Sequence, residues 1–254
     1  MEPTSSPQTS PEAVLGGTEF LEMLRQAFAR QPVSLAEEGF VPLSLTVAIS
    51  REAGSRGGTI GRRVGKKLGW QVYHQELLEY LAQEPYLSRG LFDVLDSAAA
   101  AWVEERVARL AEASQGEWRP EIRSLIRTIL AIGARGEAVI IGRGAGCILP
   151  PSSTLHVRIV APLADRVTYL SQLERLTREK AAEQVAARDS ERAAFVAEQF
   201  GRQIQDVYQY DLVLNSSLLG EELCAELIAR AARTKLESRG REGGASRSAI
   251  PELV

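Results

Sequence analysis

The stretch Leu45-Thr-Val-Ala-Ile-Ser-Arg-Glu-Ala-Gly-Ser-Arg-Gly-Gly-Thr-Ile-Gly-Arg-Arg-Val-Gly-Lys-Lys-Leu-Gly69 decides the fold. Residues 45–49 are an apolar, β-branched run, 50–58 a glycine-rich turn, and the segment from 59 onward a basic helical pattern. Together they read as strand, loop and helix. Glycine lets such a loop wrap backbone N–H groups around a phosphate, and a helix beginning near Thr59 aims its positive end at the same point. Gly54, Ser55, Arg56, Gly57, Gly58 and Thr59 are therefore the candidate cradle. The plainer alternative is a glycine-rich turn between strand and helix that holds nothing. The usual signature GxxxxGK[ST] sets a lysine just before the helix, and here that slot holds Gly57.

Working outward, three more short apolar runs read as buried strands, at 138–141, 155–160 and 212–214. Helical patterns separate them, at 59–68, 75–83, 103–112, 121–135, 163–175, 177–187, 190–206 and 221–236. Strands alternating with helices imply a parallel sheet covered on both faces, a three-layer α/β fold. Ligands in such folds sit beyond the carboxyl ends of the strands. The segments that follow the first two runs, 50–58 and 142–146, carry the glycines and arginines a site there would need.

Bulk properties narrow the function. With 44% hydrophobic residues and a quarter charged, the composition is that of an ordinary globular protein, and 254 residues can build a proper core. A net charge of −3 gives no general attraction to DNA or RNA. Cys147 and Cys224 are far apart, as are His74 and His156, so a Cys/His metal site is not expected. The start, Met-Glu-Pro-Thr-Ser-Ser-Pro, lacks the basic and apolar regions of a signal peptide, and no uncharged apolar run is long enough for a bilayer. The expectation is a cytoplasmic protein with no membrane partner. Residues 1–17 read as a disordered arm, 18–40 as an amphipathic helix and linker, 41–237 as the folded domain and 238–254 as a disordered tail.

From Leu45 to about Leu236 the chain resembles the cytidylate kinase-like family of P-loop proteins. The matching segments, beyond 49–61, are Lys67-Leu-Gly-Trp-Gln-Val-Tyr-His-Gln-Glu-Leu77, Val139-Ile-Ile-Gly-Arg-Gly144, Val160-Ala-Pro-Leu-Ala-Asp-Arg166 and Tyr210-Asp-Leu-Val-Leu-Asn-Ser-Ser217. The resemblance implies a P-loop NTPase-type fold with a helical lid and acceptor region. It also implies phosphoryl transfer from ATP, with Mg2+, to a nucleoside monophosphate, usually CMP or dCMP. By position, residues 54–59 would hold the ATP phosphates, and Arg143 would bind the acceptor. Asp189 and Arg192 resemble a pair on the cytidine side, and Arg166, Arg175 and Arg178 a mobile lid. Arginines suit this chemistry, because phosphoryl transfer needs positioning and charge neutralisation. Arginines on helices also serve as solvated faces, and that reading stands beside the lid for all three.

Three positions depart from the family pattern. Gly57 stands for the lysine; Lys66 and Lys67 lie about seven residues into the helix, roughly 10 Å along its axis. Among Arg51, Arg56 and Arg62, which are closer, Arg56 adjoins the slot and is the expected surrogate, with Arg143 the second catalytic candidate. Gly144 stands for a carboxylate that would orient magnesium through water, a gap Glu52 could fill. His74 stands where relatives carry aspartate; it could contact the acceptor or simply sit at the start of a helix. Tyr208 and Tyr210 read as packing residues. Two other functions compete with the kinase: a nucleotide sensor without efficient turnover, and a partner-binding protein using the 20–28 helix. A homodimer through 103–135 is a further possibility.

Overall fold

Five parallel strands form the centre of the molecule in the order β2-β3-β1-β4-β5. The computed structural model describes residues 42, 44–114 and 117–245. The arm and the amphipathic helix expected over 1–40 lie outside them. The strands are β1 (Thr46–Arg51), β2 (Gln71–Tyr73), β3 (Ala138–Ile141), β4 (Thr154–Val160) and β5 (Leu212–Asn215). β2 was not foreseen, since three residues are too few to show a period.

Side chains alternate across the sheet and so build two cores. Val47, Ile49, Val139, Ile141, Leu155, Val157 and Ile159 face one side. There they meet α1 (Gly57–Leu68) and the last helix, which runs through Ser216–Ala245. Ala48, Ala138 and Ile140 face the other side. They pack under α2 (Gln75–Gln83), α3 (Pro85–Asp93), α4 (Ser97–Ala113), α5 (Pro120–Arg135) and α6 (Ala145–Ile148). This is the three-layer arrangement expected. α1 lies close on the sheet because Gly61 and Gly65 face it: a Cβ on Gly61 would press on the Ile141 side chain, and one on Gly65 on Val72.

Several helical segments differ from the sequence reading: α3 and α6 were not foreseen, and α4 begins at Ser97, ahead of the pattern at 103–112. The patterns at 177–187 and 190–206 are one helix, α8 (Arg178–Phe200), which follows α7 (Leu163–Glu174). Asp189 lies in the interior of α8, and its carboxylate bonds another segment. The last helix, α9, keeps its expected start after a break at Gly220 (φ 73, ψ 168), but it runs to Ala245, past the boundary expected at 237. Arg239 within that extension donates to the carbonyls of Ser44 and Pro42, so the segment closes over the entrance to β1.

β1 is flanked by β3 and β4, so chain progression reverses at its carboxyl end. That switch point is where an open α/β sheet opens a crevice. On β4 the face opposite Leu155, Val157 and Ile159 carries Thr154, His156 and Arg158, all buried and polar. His156 on that face forms part of the wall of a cavity.

Candidate functional site

The glycine loop leaves β1 at Arg51 and is held from several directions. Gly54 (φ 76) and Arg56 (φ 62) both adopt the left-handed conformation, and α1 begins at Gly57. The first amides of α1 have no carbonyl within the helix to bond, so they are donors for an anion. Ser55 is fully buried and its hydroxyl donates to the Glu52 carbonyl at 2.9 Å. Ser216 Oγ donates to the Ser55 carbonyl at 2.8 Å. The Ala53 N–H donates to Asp189 Oδ1 at 2.7 Å, tying the loop to α8. Arg166 completes this clamp: Nη1 donates to Asp189 Oδ2 at 2.5 Å and to the Ala53 carbonyl at 3.2 Å, while Nε lies 3.4 Å from Glu52 Oε2. The loop is therefore set in shape before any ligand arrives.

Beside it lies a cavity of about 420 Å3. Arg51, Arg143 and Arg192 line it near the loop, Phe195 of α8 lines its side, and His156 and Tyr210 its far wall. Arg143 sits in the left-handed region (φ 50) in the turn after β3, ion-paired with Glu79 and lying over the Phe195 ring at 5.4 Å. Arg192 Nη1 is 3.7 Å from Asp189 Oδ1 and has no hydrogen-bond partner among the described residues. Burial is the main force lowering the Arg192 pKa; Arg188 and Arg143 act in the same direction, and Asp189 opposes them. Arg51 is pulled down to about 10 by burial and by the charges of Arg192 and Arg143. Arg192 and Arg143 thus place positive charge beside Arg51 at one end of the cavity.

The remaining expected site residues are dispersed. Arg56 turns away from the loop, 3.8 Å from Glu221 and over the Tyr169 ring at 5.0 Å. Arg166 belongs to the clamp, with only 11% of its side chain exposed, while Arg175 and Arg178 are exposed at the turn between α7 and α8. The three do not gather. His74 caps α2 and stands outside the cavity wall; its Nδ1 is 2.9 Å from Glu76 Oε2, and this hydrogen bond holds the Glu76 carboxyl down to about 2. Glu52 is engaged by the Ala161 N–H and Arg166. Lys67 pairs with Glu222 and Glu226 on α9. Tyr208 is 95% exposed, whereas the Tyr210 hydroxyl donates to the Ile204 carbonyl and its ring borders the cavity.

Arg188, His156 and Phe195 were not foreseen at the site, and Arg51 was weighed only by its nearness. The missed signal was a charged residue at the end of the central strand, and two more polar residues alternating along an otherwise apolar β4.

A phosphate-type loop at the switch point of a 2-3-1-4-5 parallel sheet, with an arginine-lined crevice beside it, defines a P-loop kinase framework. The profile of the cytidylate kinase-like family matches residues 46–218, and the chain belongs to that family. Membership places it among nucleotide-binding phosphotransfer proteins. A cytidylate kinase from Ignicoccus hospitalis is 25% identical over 186 residues, covering 72% of this chain and 96% of that protein. The crystal structure of an uncharacterized protein from Eubacterium ventriosum superposes with a TM-score of 0.60 at 18% identity, over 75% of this chain and 99% of the other, a likeness of fold. Among the described residues no helix is long and apolar enough to cross a membrane.

Proposed function

We propose that this protein transfers the γ-phosphoryl group of ATP to a nucleoside monophosphate, with CMP or dCMP as the acceptor. The observation that carries the reading is the convergence of Arg51, Arg143 and Arg192 on the cavity end that adjoins the glycine loop. An acceptor phosphate is dianionic, and guanidiniums bind its oxygens in pairs. Family membership and the cytidylate kinase relative support the same reading.

In this reading the amides at the start of α1 and the loop 54–59 hold the ATP phosphates, while Arg143 and Arg192 hold the acceptor phosphate. Asp189 positions both partners, through the Ala53 amide on one side and Arg192 on the other. An oxygen of the acceptor phosphate forms a bond to the γ-phosphorus as the bond to the β–γ bridging oxygen breaks, giving ADP and a nucleoside diphosphate. The aromatic wall with Phe195 and Tyr210, and the His156 ring, suit a pyrimidine base. Mg2+ would enter with ATP, kept by phosphate oxygens and water.

A coupled assay of ADP release with CMP, dCMP, UMP and AMP tests the proposal. Acceptor-dependent release, fastest with CMP or dCMP, is the expected result. Saturable ATP binding without acceptor-dependent ADP would replace the kinase by a nucleotide sensor.

A further inference from the structure

We propose that Arg51, not the neighbouring Arg56, takes over the part of the missing lysine, its guanidinium gripping the phosphoryl group between the loop and Arg143. The inference rests on the kinase reading and assigns a residue to its central step.

The side chain leaves the end of β1 and crosses in front of the helix start. A Cβ placed on Gly57 would lie 2.6 Å from Arg51 Cβ and 2.9 Å from its Cγ. A side chain at 57 and one at 51 thus exclude one another, and the arginine occupies the root of the lysine's space. At its far end Arg51 reaches β3, where a Cβ on Gly142 would fall on Nη1. The chain is glycine at both places the arginine passes. The guanidinium then borders the cavity between the loop and Arg143.

Its charge environment fits an anionic ligand better than a structural role. Among the described residues Arg51 makes no ion pair within 4 Å, and Glu76 is the acid whose charge favours its protonated form. Arg192 and Arg143 oppose that form. A buried arginine with cations for neighbours weakens the fold unless an anion joins it. Arg56, by contrast, already has Glu221.

The forked guanidinium can bridge two non-bridging oxygens, one on each side of the transfer, and neutralise charge as the bond from acceptor oxygen to γ-phosphorus forms and the β–γ bridging bond breaks. It stays protonated throughout, and ADP leaves with the bridging oxygen.

The test compares wild type with Arg51→Met, Arg51→Lys and the exchange variant Arg51→Gly/Gly57→Lys. Arg51→Met is expected to lower kcat by about 100-fold or more, in the range of lost transition-state arginines and donors. Its Tm should stay level or rise by roughly 2–4 °C, because a functional charge held against its neighbours has been removed. Arg51→Lys should keep less than about a tenth of the activity, lacking the fork. The exchange variant, which clears the space because glycine removes the Cβ at 51, supplies a lysine from the helix side and should recover about tenfold over Arg51→Gly. Turnover of Arg51→Met within about threefold of wild type would overturn the inference and leave the kinase reading intact. So would an activity loss that follows a falling Tm and is not relieved in the exchange variant. If wild type forms no diphosphate with any acceptor, the kinase reading fails, and calorimetric titration with ATP then decides Arg51. Weakening of about tenfold or more in Arg51→Met keeps it as a phosphate ligand, and unchanged affinity removes it.

Discussion

Arg143 holds a left-handed backbone (φ 50), a conformation that costs a non-glycine residue about 1 kcal/mol. Glu79 and Phe195 hold its side chain at the cavity rim in return. Strain kept at such a place is consistent with a ligand contact. Arg143→Ala should lower kcat/KM for the acceptor by about 100-fold, and Arg143→Lys should restore little of it, because a lysine offers a point charge instead of a fork. Steady-state kinetics with the acceptor varied check both. His156 gives a pH prediction. Burial pushes its pKa below the ordinary value, against the pull of the Gln209 carbonyl and Asp211, with Lys235 and Arg202 adding repulsion. The folded protein therefore keeps the ring neutral, while the unfolded chain takes up a proton below about pH 6.5. The stability this provides is present above that pH and is lost as pH falls toward the folded value. Urea midpoints should drop from pH 7 to pH 5, and His156→Gln should flatten that drop. At this scale the place of Arg143 beside the cavity was legible, since it closely follows a buried strand. Arg51 was not singled out, because adjacency in sequence favours Arg56 while a left-handed turn at 56 sends that side chain toward Glu221.

The elements around the loop are joined by few but well-placed polar contacts. Arg166 on α7 and Asp189 on α8 grip the loop from outside, and both are largely enclosed. Removing one partner leaves the other charge buried, so Arg166→Met should cost about 3 kcal/mol of unfolding free energy. Chemical denaturation measures it, and activity should fall as the loop loses its clamp. The opposite sign is expected at α2. His74 is its N-cap, accepting from the Leu77 N–H at a long 3.3 Å. Aspartate caps better, so His74→Asp should stabilise the protein by about 0.5–1 kcal/mol, a gain visible in the same denaturation curves. Helices with strong apolar periods, such as α2 and α5, were legible to within a residue or so. β2 and α3 were not: three residues show no alternation, and Pro85 with Gly90 weakens a nine-residue helical pattern. α8 was read as two, and the contact that Asp189 makes within it reaches a residue 136 positions away.

The whole molecule explains why the site lies where it does. A sheet of order 2-3-1-4-5 reverses at β1, and the crevice this leaves is bounded by His156 of β4 and from the side by α8. The three layers were legible because apolar runs alternated with helical periods along the chain. The cavity's make-up was not, since it gathers side chains from β1, the turn after β3, β4 and α8, which only the strand order brings together. A fixed clamp on the loop and a cluster of partly uncompensated guanidiniums amount to a framework waiting for two phosphorylated ligands. Incubating the purified protein with ATP labelled on its γ-phosphate, Mg2+ and CMP tests that account most directly. The account predicts that label appears in CDP, and that Arg143→Ala abolishes most of this transfer. Label that remains in ATP, or passes only to water, with every nucleoside monophosphate tried would contradict it.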